Sequence, residues 1–430
     1  MTGAVAPSNN GGPIAAWRAL TPTGRLVVAI CGFAIFFDAF DLIVYGAVVP
    51  DLLADKEWGL SPTGIGAIAS WALTGQLCGA LIAGTLIHRL GAKRLIVGGV
   101  IWFSLGMAAS ALAPDVESFT VLRFITGLGL GVVMPAASSL TIAYAARGKE
   151  KTTYAMMFAG YAVGGFCAAA LASILLADTG WRTLFWIGAV VPLAVLVPIA
   201  IKWLPSKMPS APTTAQAPAA AVRELFANGY ARVTLLFWAV AFAGLLLVYG
   251  LQTWLPELMR SAGYDLGTAV LFLGILNGGA VIMVLVAARI ADRTGARPVV
   301  IAALLAGAAS IALLSTAPAT GVTYLLVAIA GFGTIGSQIM VNAFVAERYE
   351  PGVRDTALGW TLGIGRLGAI AGPTITGWLL DADVGFKGNF YVFAGVALFG
   401  ALVAACVPAR RAASRSRETT DTPAAALARR

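Results

Sequence analysis

The sequence predicts an all-α membrane protein in which twelve transmembrane helices form two pseudo-symmetric six-helix bundles. Three observations carry that reading: a composition too apolar for a water-facing surface, a one-sided distribution of Lys and Arg, and an internal repeat. Hydrophobic residues make up 59% of the 430 and charged residues 11%, whereas a soluble chain carries about 25% charged residues because its surface must meet water. The remaining charges are bunched and leave apolar runs of about 20 residues, long enough to cross the hydrocarbon core as helices.

The runs fall at 26–50, 63–87, 95–113, 119–144, 155–177, 183–204, 233–255, 268–288, 298–316, 321–346, 355–380 and 390–407. The first is too long for a cleaved signal peptide, so it is expected to remain as the first span. Between the sixth and seventh, Pro205 to Ala221 is rich in Pro, Ala and Thr and lacks periodicity, the composition of a flexible linker. The expected organisation is an N-terminal half over 1–204, a cytoplasmic linker over 205–232, a C-terminal half over 233–407, and a disordered cytoplasmic tail over 408–430.

Lys and Arg resist translocation, so their loop distribution sets orientation. With the N-terminus inside, 23 of the 29 fall in cytoplasmic loops and termini and four, Lys56, Arg182, Arg260 and Lys387, in outer loops. Arg123 and Arg366 remain inside helices. This asymmetry supports twelve spans, an inner-membrane location and two cytoplasmic termini. It also argues against a nucleic-acid partner despite the net charge of +9, because no basic stripe interleaves with exposed aromatics. Cys31, Cys78, Cys167 and Cys406 lie inside apolar runs without CxxC spacing, and read as small buried hydrophobes.

A shift of 204 residues lays Val44-Tyr45-Gly46 on Val248-Tyr249-Gly250, Arg89 and Gly91 on Arg293 and Gly295, and Gly127 and Gly129 on Gly331 and Gly333. Two tandem six-helix halves related by an axis along the membrane normal, with a ligand held between them near mid-depth, is the layout this repeat implies.

Four formal charges lie deep in the expected spans: Asp38 and Asp41 in the first, Arg123 in the fourth and Arg366 in the eleventh. Each costs about 2.5–3.5 kcal/mol at a helix centre, so they should face a cavity or one another. Asp38 and Asp41 stand i, i+3 on one face, and Tyr45 continues that stripe. Their counterparts in the repeat are Phe242 and Leu245, so the carboxylates belong to one half only. Depth places Arg123 in the first turns of its span, better set to meet Asp41 than a central ligand. Arg366 falls near mid-depth, where a planar guanidinium can hold a carboxylate through two bonds.

Thr334, Gln338 and Asn342 in the tenth span, Tyr249 and Thr253 in the seventh, and Asn277 in the eighth point inward by spacing, either to touch a ligand or to bond helix to helix. The glycines Gly127, Gly129, Gly131, Gly368 and Gly372 are expected to admit close helix packing. No phosphate loop, metal-ligand cluster or nucleophile–base pair is present, and the one histidine, His88, sits in a loop. Neither an enzyme nor a cofactor is expected.

The run Asp38-Ala39-Phe40-Asp41-Leu42-Ile43-Val44-Tyr45-Gly46 resembles the first-helix signature, DGxD followed by an apolar run, of the aromatic acid:proton symporters, a branch of the major facilitator superfamily. Further similarities are Arg123-Phe-Ile-Thr-Gly-Leu-Gly-Leu-Gly, Met134-Pro135, Tyr249-Gly-Leu-Gln-Thr-Trp-Leu-Pro256 and Gly363-Ile-Gly-Arg366-Leu-Gly-Ala-Ile-Ala-Gly-Pro373. The superfamily's loop signature GxxxDRxGxx is similar to Ala288–Arg297 and, altered, to Gly84–Arg94. The resemblance implies the major facilitator fold and proton-coupled uptake of a benzoate-like anion. It assigns proton coupling to Asp38, Asp41 and Arg123, the substrate carboxylate to Arg366, and gating to the loops with Arg89, Gly91, Asp292, Arg293 and Gly295. Two departures stand out. His88 replaces the first loop aspartate, and Ala136 and Ala143 occupy positions where many such symporters carry Asn and Glu.

The expected function is proton-driven import of a small aromatic carboxylate by alternating access, by a monomer, with Tyr45, Tyr161 and Trp254 flanking the ring and Gln338 and Asn342 in contact with substrate. Alternatives are transport of another organic anion, drug export, and a membrane sensor that binds without transporting.

Overall fold

The computed structural model describes residues 13–206, 223–227 and 229–408. Most of the expected linker and nearly all of the expected tail lie outside these residues. A short helix at Pro13–Ala19 precedes twelve long ones: α1 Pro22–Ala54, α2 Pro62–Leu90, α3 Ala92–Ala111, α4 Val116–Ala143, α5 Glu150–Thr179, α6 Trp181–Trp203, α7 Ala231–Ser261, α8 Leu266–Thr294, α9 Ala296–Leu314, α10 Thr320–Arg348, α11 Pro351–Asp381 and α12 Gly385–Cys406. Eleven are long and apolar enough to cross a membrane. The exception is α11, which spans 31 residues but carries Arg354, Asp355, Arg366 and seven glycines. By length it is a span; by hydropathy it is diluted by these charges and glycines.

Local chemistry sets the helix ends. Thr21-Pro22 and Ser61-Pro62 open α1 and α2 alike: each hydroxyl accepts from the backbone N–H three residues on, at 3.1 Å, and the proline occupies the first helical position, where a missing N–H costs nothing. Asp115 and Asp265 cap α4 and α8 through the N–H groups of Ser118 and Thr268, both at 2.8 Å. Those donors favour the carboxylate form and hold both carboxyls below the usual aspartate range. A single residue, Gly91 or Gly295, turns α2 into α3 and α8 into α9 with φ of 78° and 83°, in the left-handed region that favours glycine.

The repeat recurs in three dimensions. A Cβ at Gly127 of α4 would run into the Ala72 carbonyl of α2, and one at Gly331 of α10 into the Leu276 carbonyl of α8. Gly129 likewise meets Phe103 and Gly99 of α3, while Gly333 meets Gly307 and Ala303 of α9. Every member of the second set lies 204 residues after its counterpart, so the two halves use the same backbone approaches. Two interruptions were not legible in advance: single π turns at Pro192–Leu196 in α6 and Phe332–Gly336 in α10.

The halves meet mainly at the end that carries Asp55 and Asp383. There Thr63 N–H donates to Asp381 at 2.9 Å, and the Ser70 hydroxyl lies 2.5 Å from the Ile370 carbonyl and 2.7 Å from the Thr374 hydroxyl. Gly46 abuts the Gln252 carbonyl, and Gly66 and Gly377 cross the α2–α11 contact. One apolar core runs through the first half and into the second at this end, whereas the second half keeps a separate core around Phe237, Val300 and Phe344 towards the opposite end. At the opposite end no hydrogen bond crosses between the halves among the described residues, and a Cβ at Gly84 of α2 or Gly359 of α11 would meet nothing within 4 Å, so the bundle is closed at one end and parted at the other.

Candidate functional site

Residues of α1, α2, α4, α5 and α7 line a cavity in the middle of the bundle, open at its mouth. Its lining includes Asp38, Asp41, Tyr45, Gln76, Arg123, Tyr161 and Tyr249, and α11 brings Arg366 to its edge through the bonds described below. Three-residue spacing keeps Asp38 and Asp41 on one face of α1, and Tyr45 follows one turn on.

Asp41 and Arg123 form a buried two-bond pair, Nη1 to Oδ1 at 2.6 Å and Nη2 to Oδ2 at 2.8 Å, with side chains 4% and 2% exposed. The guanidinium lies over the rings of Tyr45 and Phe185, 5.3 and 5.4 Å from their centroids, so aromatic faces add cation–π attraction to a charge already neutralised. The Tyr45 hydroxyl donates to the Ile65 carbonyl at 2.7 Å and fixes that ring against α2.

Asp38 is held differently. Its Oδ1 accepts from Gln76 Nε2 at 2.8 Å, and Gln76 Oε1 accepts from Arg366 Nη1 at 2.9 Å. Arg366 Nη1 also donates to the Tyr249 hydroxyl at 3.1 Å, and its Nη2 faces the Met134 sulfur at 3.7 Å, a weak acceptor. Among the described residues no carboxylate stands within salt-bridge distance of Arg366. A guanidinium at mid-depth, partnered by an amide, a phenol and a thioether, can take an incoming anion on its fork.

The structure thus gathers Asp38, Asp41, Tyr45, Arg123, Tyr161 and Arg366 around one cavity and leaves three expected ligand contacts elsewhere. Trp254 is fully buried, and its indole N–H donates to the Pro373 carbonyl at 2.9 Å, tying α7 to α11. Five residues separate it from Tyr249, which turns it about 140° around α7 from the cavity face. Gln338 packs beneath Gly244 of α7, 7% exposed, and neither end of its amide has a hydrogen-bond partner. Asn342 follows one turn nearer the Arg348 end of α10, its Oδ1 also buried without a partner. Neither lines the cavity around Asp38. Arg89, Asp292 and Arg293 are exposed at the parted end, beside Gly91 and Gly295.

Gln76 was missed. Its signal was a lone carboxamide in an apolar second span, weaker than a charge because a neutral amide costs less to bury. Its Oε1 and Nε2 are nevertheless the link between Asp38 and Arg366.

The fold and the cavity define a two-half membrane carrier, and the chain belongs to the major facilitator superfamily, whose family model matches residues 31–373 and 279–429. Within that class it is 36% identical to a benzoate transport protein of Acinetobacter baylyi, over 91% of each chain. It is 40% identical to a gentisate transporter of Corynebacterium glutamicum, over 88% of this chain and 86% of the relative. A 4-hydroxybenzoate transporter of Pseudomonas putida shares 32% over 84% and 87%. Among solved structures, a point mutant of a nucleoside transporter superposes with a TM-score of 0.75 over 90% of this chain and 99% of that one, at 14% identity. A D-xylose–proton symporter gives 0.72 over 88% and 96%, at 16% identity; at such identities these two speak for the fold alone.

Proposed function

We propose that this protein imports a small aromatic carboxylate of the benzoate or hydroxybenzoate type together with protons, by alternating access and as a monomer in the cytoplasmic membrane. The observation that carries the reading is the contrast between the two buried arginines: Arg123 is already paired with Asp41, whereas Arg366 has no carboxylate partner among the described residues. An organic anion entering the cavity supplies the direct carboxylate partner that Arg366 lacks, and the phenol rings of Tyr45, Tyr161 and Tyr249 offer flat, partly polar walls for an aromatic ring. The names of the benzoate, gentisate and 4-hydroxybenzoate relatives support that substrate class.

Asp38 is the proton carrier in this reading. A proton on it disturbs one bond from a neutral amide, while a proton on Asp41 breaks a two-bond ion pair. With both termini cytoplasmic, as the loop charges indicate, the parted end faces the cytoplasm and the conformation is inward-open. The glycine-turn loops at Arg89–Gly91 and Asp292–Gly295 then lie at the cytoplasmic mouth, placed to close it. Everything the cavity needs comes from one chain, consistent with a monomer.

Uptake of radiolabelled benzoate, 4-hydroxybenzoate and gentisate into cells producing the protein tests the proposal. At least one should accumulate above its external concentration and lose that accumulation when a protonophore is added. Accumulation of none, or accumulation indifferent to the protonophore, overturns it.

A further inference from the structure

Gln76 is the sole bridge the described hydrogen bonds provide between Asp38 in the first half and Arg366 in the second. Its neighbours fix which way the amide points. A carboxylate only accepts hydrogen bonds and a guanidinium only donates them, so Nε2 must face Asp38 and Oε1 must face Arg366 while Asp38 is charged and Arg366 carries no anion. We infer that this amide is a two-position coupler, and that its end-for-end flip makes anion binding at Arg366 require protonation of Asp38.

The parity of donors and acceptors enforces the link. An anion on Arg366 presents acceptor oxygens where Oε1 now points, so the carbonyl end must leave and the N–H end take its place. Rotation about the last side-chain bond exchanges the two ends in nearly the same positions. The flip then turns Oε1 towards Asp38, which is acceptable only if Asp38 has taken a proton from water and offers O–H in return. The two matched states are empty with Asp38 charged, and loaded with Asp38 protonated. Loading with Asp38 still charged sets two acceptors face to face, a mismatch that is costly where water is scarce, whereas a protonated Asp38 keeps a carbonyl oxygen that can accept from Nε2 in the empty carrier. In this way a neutral residue can forbid loading of the anion without a proton, a state that would leak substrate.

The remaining charged and titratable groups around the cavity are Asp41 and Tyr45 of α1, Arg123 of α4, Tyr161 of α5 and Tyr249 of α7. Asp41 and Arg123 neutralise each other, and the hydroxyl of Tyr249 can both donate and accept, so none of these imposes the same either-or choice.

The inference rests on the proposed anion site at Arg366, and its test separates the two. The dissociation constant of benzoate, 4-hydroxybenzoate or gentisate is measured between about pH 5.5 and 8.5, roughly one and a half units either side of neutrality, on purified protein in detergent. Parent, Gln76→Met and Gln76→Glu are compared. In the parent the constant should rise with pH towards the one-proton limit of about tenfold per unit. Gln76→Met keeps the shape without the polar ends, and its slope should fall to about threefold per unit or less. Gln76→Glu matches the anion only when its own acid is protonated, so its slope should be steeper than the parent's. A merely structural role moves affinity without changing these slopes. If both variants run parallel to the parent, Gln76 is not the coupler. If the parent binds none of the three acids, or binds them without pH dependence, the functional proposal itself fails and this inference falls with it.

Discussion

Two arginines sit inside the bundle, and what already surrounds each decides what it can still do. The fork of Arg123 is filled by Asp41; that of Arg366 meets an amide, a phenol and a sulfur. Lysine at 366 keeps the charge but loses the planar fork. Breaking a well-formed charged hydrogen bond costs about 1.5–3 kcal/mol, roughly ten- to a hundredfold in affinity. Arg366→Lys should therefore weaken binding of an aromatic acid by that factor and leave its neutral amide nearly unaffected, as a paired titration will show; equal losses for both would mean a damaged fold. The aspartates should part company in the same way. Asp41→Asn strands a buried guanidinium, at a cost of about 3–5 kcal/mol, and should lower the thermal transition and the yield. Asp38→Asn can still accept from Gln76, so it should fold normally and exchange substrate across the membrane without concentrating it. Normal accumulation by Asp38→Asn would remove Asp38 from the proton path. The charged members of this site were legible in the sequence because an intramembrane charge is too costly to be incidental. Gln76 was not, because a single amide costs little, and Trp254 was misread because its rotation about α7 was left out.

At the scale of the helix, glycines set the closest approaches between neighbours. The approaches at Gly127 and Gly331 put backbone against backbone, leaving no flexible atom to yield. Overpacking of this kind costs about 1–3 kcal/mol, so Gly331→Val and Gly127→Val should each lower thermal stability clearly. Gly395→Ala, where an added Cβ meets nothing within 4 Å, should be silent and serves as the control. If Gly331→Val melts with the parent, the α8–α10 approach is looser than it looks. The apolar runs located all twelve helices, since period-free hydrophobicity over a bilayer's width is a strong signal, and their ends extend as the caps at Thr21, Ser61, Asp115 and Asp265 dictate. The π turn in α10 depends on tertiary fit, Gly333 being drawn against Gly307, while that in α6 begins at Pro192, which withholds an N–H, a local cue that does not by itself distinguish a π turn from a kink.

The molecule as a whole is a pair of similar bundles joined by contacts at one end, and its sidedness and its conformation can be tested separately. Sidedness rests on the loop charges. Cysteines at Lys56 and Lys387, in a background without Cys31, Cys78, Cys167 and Cys406, should react from outside with an impermeant reagent, while cysteines at Lys149 and Arg293 should not. Conformation rests on the α2–α11 contact, where the Ser70 and Thr374 hydroxyls lie 2.7 Å apart. Alternating access requires that contact to open whenever the carrier faces outward. Cysteines placed together as Ser70→Cys and Thr374→Cys should therefore cross-link readily under mild oxidation and hold the protein in the form described here. Uptake should stop on oxidation and return with a reductant, while each single variant continues to transport. Binding from the cytoplasmic side of inverted vesicles should survive the cross-link if, as proposed, the parted end of the locked form faces the cytoplasm. A cross-linked carrier that still moves substrate at the parental rate would mean that this end of the bundle does not part during transport, and that the halves exchange access by some motion other than rocking about the site.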